Sequence, residues 1–294
     1  METLSNSILT VQIAEHGAEL QSIKKGSKEY LWQGDAKFWG RRSPILFPFV
    51  GRVWDNKFRH EGKTYEMGQH GFARDMDFRI TYKDDNGIVF WLESTPETLE
   101  KYPFPFRLMV GYLLEDNKLT VKWRVDNLSD KDIYFQIGAH PAFNLPDFDP
   151  ADEVRGYFGL YGPNSGRELK YTAPAEKGCV SAELHSLNLS KEGLMPITAH
   201  TFDHDTFIFE NQHLQKVMLD DKNKEPYLTV DFDAPLVALW SPTKQHPDCP
   251  FVCIEPWYGR CDSVGYEGEL KDRAWMQCLK SMENFDVSYS IRIE

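Results

Sequence analysis

Two short islands of the chain place a proton-transferring side chain among aromatic and turn residues: Gly138-Ala139-His140-Pro141-Ala142-Phe143-Asn144 and Cys253-Ile254-Glu255-Pro256-Trp257-Tyr258-Gly259. Histidine and glutamate form a natural acid/base pair. One can deliver a proton while the other removes one only if they keep opposite protonation states near neutral pH, which aromatic burial helps to arrange. Such chemistry suits a sugar. His140 follows the strand-like run Ile133 to Ile137 and precedes a proline that restricts the backbone, while Asn144 can hold the turn. A buried histidine bonded to a carbonyl is the plainer reading, and the residues alone leave both open. Glu255 stands at the end of the apolar strand Phe251 to Ile254. Glutamate is rarely buried unless paired. Either it bridges to a cation such as Arg260, or it is a base whose pKa rises beside Trp257; the residues favour the base.

Three further groups could bind a ligand. His70-Gly71-Phe72-Ala73-Arg74 sets an imidazole, a glycine and a guanidinium within five residues, with Gly71 either allowing close backbone approach to a ligand or making an ordinary tight turn. Arg52 offers a forked donor for vicinal hydroxyls or an anion, although exposed arginines such as those at 41 and 42 are common. Asp203 and Asp205 flank His204, and one of them could accept hydrogen bonds from hydroxyls; surface turn carboxylates are the alternative.

Strands must position these groups. Leu119, Val121, Trp123 and Val125 alternate with polar residues, as do Leu108, Val110, Tyr112 and Leu114, with Glu115-Asp116-Asn117-Lys118 as the joining turn. A second hairpin runs from Ile80 and Tyr82 through Asp84-Asp85-Asn86-Gly87 to Ile88, Phe90 and Leu92. Leu9 to Ile13 and Phe285 to Ile293 alternate likewise. Helical signal is confined to a turn or so over Pro96 to Lys101, after Ser94. Many strands with turn-rich joins predict an all-β protein, a large antiparallel β-sandwich. No Pro/Gly/Ser-rich linker or repeat divides the chain, so one domain over 1–294 is expected.

Composition narrows the partners. A formal charge of -12 repels phosphate backbones and anionic lipid, so neither nucleic acid nor a membrane is expected. The aromatic content of 14% is rich enough for some rings to face a ligand. Met1 to Leu20 lacks the charged start and apolar run of a secretory peptide. Cys179, Cys249, Cys253, Cys261 and Cys278 are odd in number and show no paired Cys-x-x-Cys step, so buried, reduced thiols in the cytoplasm are expected and a metal site built from Cys249, Cys253, Cys261 and His246 is not.

Gly17-Ala18 through Tyr30-Leu31-Trp32-Gln33-Gly34-Asp35, Pro44-Ile45-Leu46-Phe47-Pro48, the His70 to Arg74 pentamer and both islands together resemble the aldose 1-epimerase (galactose mutarotase) superfamily, most of all its LacX-like branch. Arg52, Phe58 and Gly62-Lys63-Thr64-Tyr65 match the spacing of the family's arginine, Phe and Gly-Lys-x-Tyr stretch, which implies substrate binding by Arg52. The resemblance implies a sugar-contacting role for His70, the general acid in His140 and the general base in Glu255. It also implies a galactose mutarotase-like fold, an aldohexose substrate, and neither cofactor nor metal. The chain departs from true galactose mutarotases in lacking Ala-Asn-Arg. The family's Phe-Asp-His pattern matches Asp203, whereas strand alternation through Phe207 and Phe209 suits Asp205. Arg74 resembles an arginine of hexose-6-phosphate mutarotases, so a phosphorylated sugar is one alternative; a carbohydrate-binding protein without turnover and a retaining glycosidase are others. A homodimer is left open.

Overall fold

The computed structural model describes residues 1–163 and 168–294. Alternation does what the sequence predicts: Phe106–Glu115 and Lys118–Asn127 bury every second side chain and pair in unbroken antiparallel register around the Glu115 to Lys118 turn. In the other hairpin the Asp84 carboxylate accepts from the backbone N–H groups of Asn86 and Gly87, which holds the turn before Gly87–Glu93. These strands belong to a nine-stranded antiparallel sheet that Asn284–Ile293 joins to its second half, pairing with Lys118–Asn127 on one side and Pro226–Phe232 on the other.

A second sheet has six strands. Its central strand, Phe251–Tyr258, pairs with Leu236–Trp240 along one edge and with Ile137–Ala139 and Ala142–Asn144 along the other. All eight of its residues are buried, because both faces are covered. Val252, Ile254 and Tyr258 face the main core, which they share with Leu108, Val110 and Phe106 of the large sheet. Ring contacts cross between the layers, Phe47 to Phe106 at 4.9 Å and Tyr258 to Phe285 at 5.2 Å. The fold is an antiparallel β-sandwich. On the opposite face of the second sheet lie two small apolar clusters, one around Leu46, Leu236 and Trp257 and one around Trp32, Phe251 and Cys253. Glu255 emerges between them.

Several elements differ from expectation. The run Ile133 to Ile137 is broken at buried Gln136: Ile133–Phe135 pairs with Gln277–Leu279, whereas Ile137–Ala139 joins the six-stranded sheet. Glu255 lies inside its strand, not at its end, since pairing continues through Pro256 to Tyr258. The short helix Pro96–Lys101 forms where expected and is capped by Thr95, in a reciprocal capping box with Thr98. Cys278 is exposed, while the other four thiols are buried and free. No helix among the described residues is long and apolar enough to cross a membrane.

Candidate active site

Strand register brings the two islands together. Gly138 stands opposite Trp257 and Ala142 opposite Cys253, so the same register carried through the intervening gap sets His140 opposite Glu255. The ladder is interrupted there because Pro141 has no N–H to give, although its carbonyl still accepts from Ile254. Directly opposed side chains on one sheet face are neighbours, and His140 Nε2 lies 3.3 Å from Glu255 Oε2. On the same strand Trp257 folds its indole over Gly138, where a Cβ would come within 2.6 Å of the ring, and donates its N–H to the carbonyl of Ala139 at 3.1 Å. Any side chain at 138 would push this wall of the site away.

The pair lines a cleft of about 400 Å³. Trp39 stacks on the His140 ring at 4.7 Å, and Trp240 meets it edge-on at 5.6 Å. This aromatic cage controls the titration. Burial pulls His140 down to about 3, helped by the positive charges of Arg74 and Arg41. Burial pushes Glu255 well above the ordinary carboxylate range, opposed by the Trp257 indole and assisted by the charge of Asp205. Arg260 does not offset that shift, because it pairs with Glu210 at 2.7 Å instead of with Glu255. Glu255 Oε2 and His140 Nδ1 are buried without a hydrogen-bond partner, and the 3.3 Å contact lacks hydrogen-bond alignment.

The two shifts together mean that the folded pair holds one proton between them, on the carboxyl or on the imidazole, over a wide pH range. In an unfolded chain the same two groups lose their protons near about 4.3 and 6.5. Above about 6.5 and up to the raised limit of Glu255, the native state therefore binds more protons than the unfolded state, and the contribution of this pair to stability falls as pH rises through that window. The Glu255→Gln variant loses that slope. Urea unfolding at about pH 7 and about pH 9 is expected to show the variant gaining on the wild type as pH increases; parallel pH dependences would mean that the pair holds no such proton.

The other expected residues divide. Arg52, His70, Arg74 and Asp205 line the cleft. His70 lies edge-on to His140 at 5.5 Å, and its Nδ1 accepts from the Gly51 N–H at 3.0 Å, so neutral His70 carries its proton on Nε2. Burial holds it neutral, with the charges of His140, Arg74, Arg52 and Arg41 acting in the same direction. Arg74 donates to the carbonyl of Gln69 at 2.8 Å, and its Nε is buried without a hydrogen-bond partner. Burial and Arg41 lower its pKa to about 10. Asp203 is exposed, bound to His200 at 3.0 Å, and lies outside the cleft. Asp205 reaches the cleft from a left-handed turn, φ +72°, where its carboxylate accepts from the N–H and hydroxyl of Thr206, and not from the strand alternation expected, since the strand begins at Phe207. Trp39, Trp240 and Cys253 were not foreseen at the site. For Cys253 the signal was present, two residues before Glu255 on one strand face; Trp39 sits in a loop whose sequence carries no such period.

One face of the second sheet of this β-sandwich carries a buried histidine–glutamate pair in a cleft with tryptophan, arginine and a second histidine, an arrangement suited to acid/base chemistry on a polar ligand. The chain belongs to the aldose 1-epimerase family, whose model matches residues 2–269, and this supports a sugar epimerase type of role. The plasmid-borne protein LacX of Lactococcus lactis subsp. lactis is 30% identical over 99% of this chain and 98% of its own. A galactose mutarotase related enzyme from Lactobacillus acidophilus superposes with a TM-score of 0.90 at 33% identity, covering 100% of this chain and 97% of that one. A galactose mutarotase-like protein from Lactobacillus casei gives 0.92 at 32%, covering 100% of both.

Proposed function

We propose that this chain interconverts the α and β anomers of an aldohexose or related sugar, with Glu255 as base and His140 as acid. The observation that carries the proposal is the opposed His140–Glu255 pair, 3.3 Å apart on the cleft floor. In its reactive form the pair's single proton sits on His140. Glu255 takes the proton of the C1 hydroxyl as His140 gives its own to the ring oxygen; the bond from C1 to the ring oxygen breaks and the C1 carbonyl forms. The pair then holds its proton on Glu255, so its net charge has not changed during ring opening. That suits a buried site, where unbalanced charge is costly. Rotation about C1–C2 presents the other carbonyl face, and reversal of both transfers closes the ring. Arg52, His70 through Nε2–H, Arg74 and Asp205 would hold the hydroxyls against the tryptophan faces, and this orientation contributes its own share.

Polarimetry with freshly dissolved α-glucose or α-galactose tests the reading. Added protein should accelerate the drift of rotation, and kcat/KM should stay flat through about pH 6.5, the ordinary histidine value, because the active pair gains a second proton only near its depressed limit of about 3 and loses its only one well above the carboxylate range. Sugar binding with no acceleration, across a panel that includes 6-phosphates, would make the chain a binding protein. An acid limb near about 6.5 would place a solvated histidine in the reaction instead of this pair.

A further inference from the structure

We propose that His140, Cys253 and Glu255 form a three-ligand site for a thiophilic divalent cation such as Zn²⁺, and that occupancy of this site blocks the acid/base pair. The side chains come from two adjacent strands in register, with Cys253 and Glu255 two residues apart on one strand face and His140 opposite Glu255. One donor atom from each lies within 4.8 Å of the other two, and all three residues are buried. Zinc bonds of roughly 2.0–2.3 Å to nitrogen, oxygen and sulfur require these atoms to draw together by several tenths of an ångström. The 3.3 Å between Nε2 and Oε2 already suits two donors on one ion.

The donors are also available. Glu255 Oε2 has no hydrogen-bond partner although the residue is 1% exposed, and His140 Nε2 faces it. Thiolate, carboxylate and neutral imidazole neutralise a divalent ion, which leaves no net charge in the buried site. Three protein ligands leave a fourth tetrahedral position for water. An ion needs the deprotonated ligands, so loading releases protons and apparent affinity rises with pH. The remaining buried thiols stand apart from this donor set: Cys179 is directed at the Arg52 carbonyl, Cys249 is engaged by the Ser241 hydroxyl, and Cys261 belongs to the apolar cluster around Trp257.

Cobalt reports such a site directly, since a thiolate ligand gives a charge-transfer band and a tetrahedral ion gives intense visible bands. The full chain carrying Cys278→Ser, which removes the exposed thiol, is titrated with Co²⁺. Both bands should saturate at one equivalent, and Zn²⁺ should abolish them. In Cys253→Ser and Cys253→Ala the thiolate band should vanish and affinity should fall by at least about tenfold, more than an outer-shell change costs. Absence of the bands, or their survival in both Cys253 variants, overturns the site. Only the competition with sugar rests on the reading of the cleft given above. In the same background Zn²⁺ should inhibit mutarotation competitively, and the turnover of both Cys253 variants, each compared with its own zinc-free rate, should lose at least about tenfold in zinc sensitivity; inhibition unchanged in both would place the inhibiting ion elsewhere. The cobalt spectra decide the site even if the protein turns over no sugar.

Discussion

Glu255→Gln and His140→Asn are each expected to lower kcat for mutarotation by about 10²- to 10⁴-fold while leaving a folded protein. Glutamine preserves the size and planarity of the buried side chain but cannot accept the C1 hydroxyl proton. Asparagine keeps a polar group opposite Glu255 but cannot act as the proton donor, and it gives up the stacking on Trp39. Because ring opening needs both transfers, the double variant should be little worse than the poorer single variant; residues that work as a unit are not additive. Sugar affinity should largely persist, since Arg52, His70 and Asp205 line the cleft independently of the pair. The measurements are initial rates by polarimetry and binding by calorimetry. Near-normal turnover in either variant removes that residue from the chemistry, and a multiplicative double loss would mean that the two groups act in separate steps.

The chemistry of this pair was legible in residue type, but its convergence was not. Alternation along Leu108 to Leu114 and Leu119 to Val125 shows which side chains turn inward, because a strand's period is local. Nothing local says that Ile137–Ala139 and Ala142–Asn144 share one edge of Phe251–Tyr258, more than 100 residues away in the chain. That pairing makes the site. Glu255 looked like a strand terminus because proline usually ends pairing; Pro256 is tolerated since the neighbouring ladder is already interrupted at His140 and Pro141. The choice between Asp203 and Asp205 turned on a left-handed turn residue, which neither a three-residue pattern nor strand periodicity describes. The proximity of Cys253 to Glu255 followed from parity alone, yet its meaning depended on His140 standing across the strand.

Gly71→Ala is expected to be among the most damaging single substitutions outside the acid/base pair. The sequence offers Gly71 as a point of close approach to a ligand or as a plain turn; what it approaches is the chain itself. A Cβ at Gly71 would lie 2.3 Å from the carbonyl oxygen of Phe47, 2.5 Å from its carbon and 2.7 Å from Pro48 N, at a φ of +69°. That carbonyl cannot retreat freely, because it accepts from both Phe72 and Ala73 N–H groups and the Phe47 ring is fully buried against Phe106. Backbone strain of about 1–3 kcal/mol adds to about 1–3 kcal/mol for overpacking. At about 2–4 °C per kcal/mol for a chain of this size, Tm should drop by roughly 10 °C. The site should suffer as well: His70 is held by its N–H to the Gly51 carbonyl at 2.8 Å and through Nδ1 to the Gly51 N–H at 3.0 Å, so displacement at 71 moves the ring out of register with the sugar and raises KM. Gly62→Ala provides the comparison, since φ is +73° there but no atom lies within 4 Å of the added Cβ. It should cost only about 1 kcal/mol. Equal losses in the two variants, measured by thermal unfolding, would show that the Phe47 carbonyl yields readily and that backbone conformation alone accounts for glycine at 71.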